Sequence, residues 1–158
     1  MHELMIKTPQ NLIPGCLRIR HDGTTLIELD ILPEPRQTTS VYGNLEQMLA
    51  DAFTDYFSHT EQGFSFPIRL QGSEFQQRVW RALQQIPAGS VLSYGELAAK
   101  LNSSARAVGN ACRKNPLPII VPCHRVVAKS GIGGYSGQTE GPLIEQKRRL
   151  LRHEGICL

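Results

Sequence analysis

An α+β fold is predicted for this chain: a small N-terminal antiparallel sheet with a helix, followed by a mostly helical C-terminal domain containing a helix-turn-helix. Three observations predict it. The first third alternates apolar and polar residues around a hairpin-type turn, the period lengthens to that of a helix from residue 44, and helix-start signals then recur down the second half. With 158 residues there is room for one domain or two small ones, and the expected division is a structural α/β domain over residues 1–66 and a helical domain over 67–158. Apolar residues at 41% and charged residues at 20% are ordinary for a globular protein. No apolar run approaches the roughly 20 residues of a membrane span. His2 and Glu3 interrupt the opening stretch where a signal peptide needs an apolar segment. No membrane partner is therefore expected, and the default compartment is the cytoplasm or nucleoid.

The elements follow in order. Residues 17–21 alternate, Asp22-Gly23 supplies the turn, and residues 25–32 alternate again before Pro33 and Pro35 end the sheet. From Asn44, one helical face collects Leu45, Met48, Leu49, Ala52, Phe53 and Tyr56. A linker is expected over 62–67, Gln62 to Pro67. Ser73 with Gln76 reads as a capping box opening a helix with Phe75, Val79, Trp80, Leu83 and Ile86 inside, stopped by Pro87-Ala88-Gly89. Ser93 with Glu96 reads as a second capping box, for a short helix burying Leu97, Ala98 and Leu101. After the polar turn Asn102-Ser103-Ser104, residues 105–114 form a third helix, closed at Asn115-Pro116 because a residue before proline is driven out of the α region. Two short helices joined by a tight turn make the helix-turn-helix. Ile119-Ile120-Val121 reads as a short buried strand, residues 129–141 as a glycine-rich loop, and residues 143–153 as a terminal amphipathic helix.

Charge is segregated. Residues 1–80 hold six Lys and Arg against ten Asp and Glu, a balance of −4, whereas residues 81–158 hold eleven against four, a balance of +7. Such asymmetry is the footprint of a polyanion partner, nucleic acid above all, or of a basic half docked on an acidic one. The third helix sets Arg106, Asn110, Arg113 and Lys114 among Ala105, Ala107, Gly109 and Ala111. Small residues let a helix approach another backbone closely, in DNA or in a neighbouring helix. Cys16, Cys112, Cys123 and Cys157 show no CxxC and no regular spacing, which reads as free thiols. Cys16 and His21 could offer two zinc ligands, but five residues apart in one strand they form no recognised motif.

The chemistry concentrates at Cys123-His124. A thiol beside an imidazole, ahead of a glycine-rich loop, suggests a nucleophile held towards thiolate. In an extended segment neighbours point to opposite faces, so the chain must turn sharply there or a water must relay the proton. His124 needs an orienting acceptor, and late in the chain the candidate is Glu154. The same pair also reads as a buried small hydrophobe and a satisfied core histidine.

The block Pro122-Cys123-His124-Arg125-Val126, preceded by Asn115-Pro116 and by Ser104-Ala105-Arg106-Ala107-Val108-Gly109, closely resembles the O6-alkylguanine-DNA alkyltransferases, or methylated-DNA–protein-cysteine methyltransferases. The resemblance is strong over residues 73–155 and weak over 1–66. It implies DNA repair by single-turnover transfer of an alkyl group from O6-alkylguanine, and from O4-alkylthymine, to Cys123. His124 would act as base through a water, with Glu154 holding the imidazole and Asn115 orienting the network. Tyr94 would meet the DNA and donate to the departing guanine. The base must first be flipped from the duplex, and Arg106 would fill its place as a finger from a helix lying in the minor groove, where Ala105 and Ala107 suit close approach. Pro118, Val126, Tyr135 and Ser136 would line the base pocket, and Arg113 and Lys129 would contact phosphates. The implied partner is double-stranded DNA containing O6-alkylguanine, bound by a monomer, with no cofactor and no metal. The connection over 137–142, Gly137 to Pro142, is a few residues longer than the family's, and Cys112 and Cys157 match no family role.

Two rival functions remain at this level. One is a helix-turn-helix regulator with a sensing cysteine. The other is a thiol hydrolase, which needs an oxyanion hole that nothing in the sequence specifies.

Overall fold

The computed structural model describes residues 1–158 apart from 42, 59–62 and 136–139. The chain divides into two compact units, Met1–Leu70 and Gln71–Leu158.

In the first unit, Asp22 builds the hairpin. Its carboxylate accepts from the backbone N–H groups of Thr24 and Thr25 at 2.9 and 2.7 Å, and Gly23 takes φ 96°, which a side chain would resist. Strands β2 (Cys16–His21) and β3 (Leu26–Leu32) leave this turn antiparallel. The alternation buries Leu17, Ile19, Leu26 and Leu29, while Arg18 and Arg20 pair with Asp30 and Glu28 on the other face. A third strand, β1 (His2–Lys7), joins the β2 edge with Leu4 opposite Ile19. The sequence gives little sign of β1, since of its six residues only Leu4 is buried. Helix α1 (Asn44–Phe57) buries Leu45, Leu49, Phe53 and Tyr56. Met48, expected on that face, is 44% exposed because the stripe is centred on 45, 49, 53 and 56. The unit reaches Leu70 because Leu26 N–H donates to the Pro67 carbonyl and Arg69 N–H to the Leu26 carbonyl. Gln62, at the start of the expected linker, lies outside the described residues.

In the second unit the serine caps form where the sequence places them, but the box expected at Ser93 and Glu96 closes on its serine side only. Helix α2 (Glu74–Gln84) opens on a reciprocal capping box between Ser73 and Gln76, a device whose cap alone contributes about 1 kcal/mol. Val79, Trp80 and Leu83 are its buried face, and Trp80 Nε1 donates to the Ala111 carbonyl at 2.9 Å. Helix α3 (Tyr94–Lys100) starts at Ser93, whose hydroxyl accepts from Glu96 N–H. It ends in a Schellman turn: Asn102 sits at φ 52°, Ser103 N–H reaches the Ala98 carbonyl and Asn102 N–H the Ala99 carbonyl. Helix α4 (Ala105–Arg113) follows, capped by Ser104.

Two local departures from expectation bear on the site. Ile119-Ile120-Val121 is not a strand but a turn, with Ile119 at φ 75° and Val121 N–H bonded to the Leu117 carbonyl at 2.8 Å. An apolar triplet is as compatible with a buried turn as with a strand, and here the Asn115 amide binds the Leu117 N–H and the Val121 carbonyl and so folds the segment between them. Leu92–Ser93 and Val126–Val127 form β4 and β5, a two-residue parallel pair that periodicity cannot reveal at this length. Helix α5 (Pro142–His153) closes the unit, with Pro142 in its first turn. Among the described residues no helix is long and apolar enough to cross a membrane.

Candidate active site

The residues from Asn115 to Val127 bend the chain sharply so that neighbouring side chains need not point apart. The Asn115 amide is the clamp: Nδ2 donates to the Val121 carbonyl at 2.7 Å and Oδ1 accepts from Leu117 N–H at 2.9 Å. Cys123 N–H then turns back to the Val121 carbonyl, and Arg125 N–H to the Pro122 carbonyl. Cys123–Arg125 is a single 3-10 turn, entirely buried, and β5 fixes its exit against β4, at the start of α3. Tyr94 opens the helix that follows β4, and Cys123 opens the turn that leads into β5.

His124 has no solvent exposure. Its Nε2 lies 2.8 Å from Glu154 Oε2, and its Nδ1 is buried with no hydrogen-bond partner among the described residues. Glu154 is the C-cap of α5. Its place is set by a Schellman turn in which Gly155 takes φ 94°, Ile156 N–H meets the Leu151 carbonyl and Gly155 N–H the Arg152 carbonyl. Glu145, the other acidic residue of that helix, is engaged by Arg148 and Arg149 instead. Two further residues complete the arrangement, neither of which has a signal in the sequence beyond its position. Arg125 donates through Nε and Nη2 to the two oxygens of Glu154 at 2.8 and 3.0 Å. Lys147, fully buried within the run Lys147-Arg148-Arg149 where a solvated face would be expected, donates to the carbonyls of Val126 and Gly134 at 2.7 and 2.8 Å.

The electrostatics follow from burial and these contacts. Burial pushes the Cys123 thiol up, while the Asn115 amide and then the Lys147 ammonium pull it back. Burial also holds His124 below the usual imidazole range against the pull of Glu154, with Arg125 and Lys147 adding to the depression. Burial would raise Glu154, but the bonds from His124 and Arg125 hold it well below the carboxylate range. Lys147 is brought down to about 8 by burial, partly offset by the two nearby thiols. Cys112 is half-buried, and burial pushes its thiol up to about 12. A protonated thiol, a neutral imidazole with one open nitrogen and an ionised carboxylate are the parts of a proton-accepting relay.

The residues expected to line a base pocket are placed as follows. Tyr94 is half-buried, its hydroxyl donating to the Gly134 carbonyl at 3.2 Å. Gly133 lets the two approach, since a Cβ there would stand 3.1 Å from the Tyr94 ring and 2.9 Å from the Ala128 nitrogen. Tyr135 is buried and Pro118 half-buried. The Val126 carbonyl accepts from Lys147, and a carbonyl oxygen has a second lone pair to offer. Ser136 lies outside the described residues, as do 137–139 of the long connection. On α4, Ala105, Arg106, Asn110 and Arg113 are exposed and Ala107 is half-buried, and Lys129 is exposed beyond β5. Among the described residues no group of three or more His, Cys, Asp or Glu could hold a metal ion. His21, weighed above as a ligand, has both ring nitrogens engaged, by Glu46 and by Gly23 N–H.

The family described as 6-O-methylguanine DNA methyltransferase, DNA binding domain, matches residues 74–156. The chain is 46% identical over 104 residues to the methylated-DNA–protein-cysteine methyltransferase of Archaeoglobus fulgidus, covering 64% of this chain and 69% of that one. It is also 46% identical over 147 residues to the protein of that name from Mycobacterium bovis, covering 89% and 86%. The crystal structure of Mycobacterium tuberculosis OGT in complex with DNA superposes with a TM-score of 0.80 at 38% identity, over 98% of this chain and 92% of that one.

Proposed function

This chain belongs to the methylated-DNA–protein-cysteine methyltransferases, DNA-repair proteins that take an alkyl group onto one of their own cysteines, and we propose that Cys123 is that cysteine and O6-alkylguanine in duplex DNA its substrate. One observation carries the assignment of the cysteine. Of the four thiols, Cys123 adjoins a buried imidazole whose Nε2 is bound by Glu154 and whose Nδ1 is open.

The thiol proton passes through a water to His124 Nδ1 as sulfur attacks the alkyl carbon in line with the O6 bond. The carbon–sulfur bond forms, the carbon–oxygen bond breaks, and guanine leaves with the electron pair. Tyr94 exchanges its bond to the Gly134 carbonyl for one to the purine and so supports the leaving anion. The product is a thioether, which water does not cleave, so each chain acts once. Burial supports this chemistry twice: it keeps water from the reacting carbon, and it keeps His124 neutral and able to accept a proton.

Reaching the alkyl carbon requires a flipped base, because O6 lies within the stack of the duplex. The exposed face of α4 suits that task. Arg106 would fill the vacated space, Ala105 and Ala107 would allow close approach in the minor groove, and Arg113 and Lys129 would hold phosphates. In this reading α3 and α4 are the helix-turn-helix, and Pro118, Tyr135, Ser136 and the Val126 carbonyl form the base pocket. The protein acts as a monomer on the cytoplasmic nucleoid, and O4-alkylthymine is a second substrate. The deciding experiment is stoichiometric: duplex carrying labelled O6-methylguanine is mixed with protein, and the label is counted and mapped. One methyl group per chain, on Cys123, is expected. No label would favour a regulator, and many turnovers a hydrolase.

A further inference from the structure

Glu154 carries more than His124 requires. Arg125 forks onto both of its carboxylate oxygens, at 2.8 and 3.0 Å, and Nη1 of the same guanidinium donates to the Ile86 carbonyl at 2.6 Å, just beyond the end of α2. The guanidinium is thus fixed at two ends, and the carboxylate is fixed through it. Charge matters as much as geometry. A carboxylate bound to an imidazole alone favours the imidazolium, whereas a full positive charge on the same carboxylate offsets that preference. Among the described residues, the charged groups acting on His124 are Glu154 and Lys147 from the terminal helix and its end and Arg125 from its own turn, which also carries the Cys123 thiol; the Ile86 carbonyl, just beyond the end of α2, lies at the far side of Arg125. Two cations therefore stand against one carboxylate.

We propose that Arg125 is a positioning residue for the transfer: by forking onto Glu154 it locks the carboxylate in place and keeps His124 as the neutral Nε2–H tautomer, leaving Nδ1 free to take the Cys123 proton. This rests on the reading of Cys123 as acceptor and His124 as base. When the thiol proton arrives at Nδ1, the new imidazolium is stabilised through its Nε2–H by Glu154. Arg125 keeps its own proton throughout and is unchanged by the reaction. Lysine could supply the charge but not the fork, because an ammonium cannot bind both carboxylate oxygens in one plane and the Ile86 carbonyl as well.

The test uses the full chain and histidine-selective NMR, which reads tautomer and titration without any transfer, together with the pH profile of reaction with free O6-benzylguanine. In the wild type, His124 is expected as the neutral Nε2–H form at pH 7. In Arg125→Met its titration should move up by about one pH unit, the acid limb of the rate profile should follow, and the rate at pH 7 should fall about tenfold. Arg125→Lys should leave the titration near the wild-type position while still slowing transfer. A wild-type His124 that is imidazolium at pH 7 overturns the proposal, as does an unchanged titration in folded Arg125→Met. If Arg125→Met does not fold, the wild-type tautomer and the Arg125→Lys titration decide. Label found on a residue other than Cys123 would instead overturn the underlying assignment, and that outcome is independent of the His124 spectrum.

Discussion

Each unit of this protein contains a buried histidine bound to a glutamate, and the two pairs do different work. His21 Nε2 lies 2.7 Å from Glu46 in the first unit, and His124 Nε2 lies 2.8 Å from Glu154 in the second. What separates them is the other nitrogen. His21 Nδ1 accepts from Gly23 N–H at 3.0 Å, so the ring is used up in tying the hairpin to α1. His124 Nδ1 has no partner among the described residues, and the ring directly follows Cys123 in a single 3-10 turn. A buried His–Glu pair is therefore not by itself a sign of chemistry. An open acceptor next to a nucleophile is.

The largest expected effect tests the nucleophile. Cys123→Ala should abolish alkyl transfer while leaving duplex affinity near that of the wild type, because affinity comes from phosphate contacts on exposed residues. Transfer and binding measured on one preparation check this, and transfer persisting on Cys112 or Cys16 would end the assignment.

Next come the two histidines, exchanged for glutamine in separate variants. His124→Gln should slow single-turnover transfer by about a hundredfold or more, the scale of a lost general base. His21→Gln should leave the rate near wild type and instead cost about 2 kcal/mol of stability through the lost ring packing and the lost acceptor for Gly23 N–H, seen in denaturant melts. Equal rates in the two variants would erase the distinction drawn above.

The pH dependence of stability sharpens it further. Burial lowers the His124 pKa in the folded state from the ordinary 6.5, so the folded state resists protonation and stability falls as pH drops below that value. Glu154, held below its ordinary 4.5, adds a second loss below that pH, because its ionised form is the one the fold stabilises. Denaturant melts of His124→Gln should lack the first loss and retain a weakened second one. A smaller, more selective effect is expected at the DNA face. Arg106→Ala should reduce transfer from duplex by about tenfold more than transfer from the free base, since on the proposed mechanism only the duplex requires flipping. Smallest of all, Lys129→Ala should lower the salt dependence of binding by about one counterion without changing the transfer step.

The legible part of the fold was local. Asp22-Gly23, the Ser73–Gln76 box, the caps at Ser93 and Ser104, Asn102 and Asn115-Pro116 each act within a few residues and set the hairpin and helices α2 to α4, while α1 and α5 show in their apolar periodicity. Strand β1 was missed because its identity as a strand comes from the β2 edge that receives it. The β4–β5 pair was missed because two residues carry no period, and the apolar run 119–121 was read as a strand because hydrophobicity does not distinguish a buried turn. At the site, the adjacent Cys123 and His124 stand out at once, the need of the imidazole for an acceptor points to Glu154 late in the chain, and Tyr94 comes with the family resemblance. Arg125 and Lys147 did not, since a basic residue looks the same in sequence whether its charge faces water or a buried carboxylate.

The sequence by itself determined the hairpin, the five helices and which thiol adjoins an imidazole along the chain, because caps, turns, prolines and apolar periodicity act through neighbouring residues. Only the tertiary structure decided that Glu154, thirty residues on, meets His124 rather than solvent, that Arg125 shares that carboxylate with the imidazole, and that Lys147 spends its charge on two carbonyls inside the core. Those choices depend on burial: an ion pair is worth little in water and a great deal where an unpaired charge cannot be solvated, and which charges are buried is settled by how α5 packs on the Cys123–Arg125 turn.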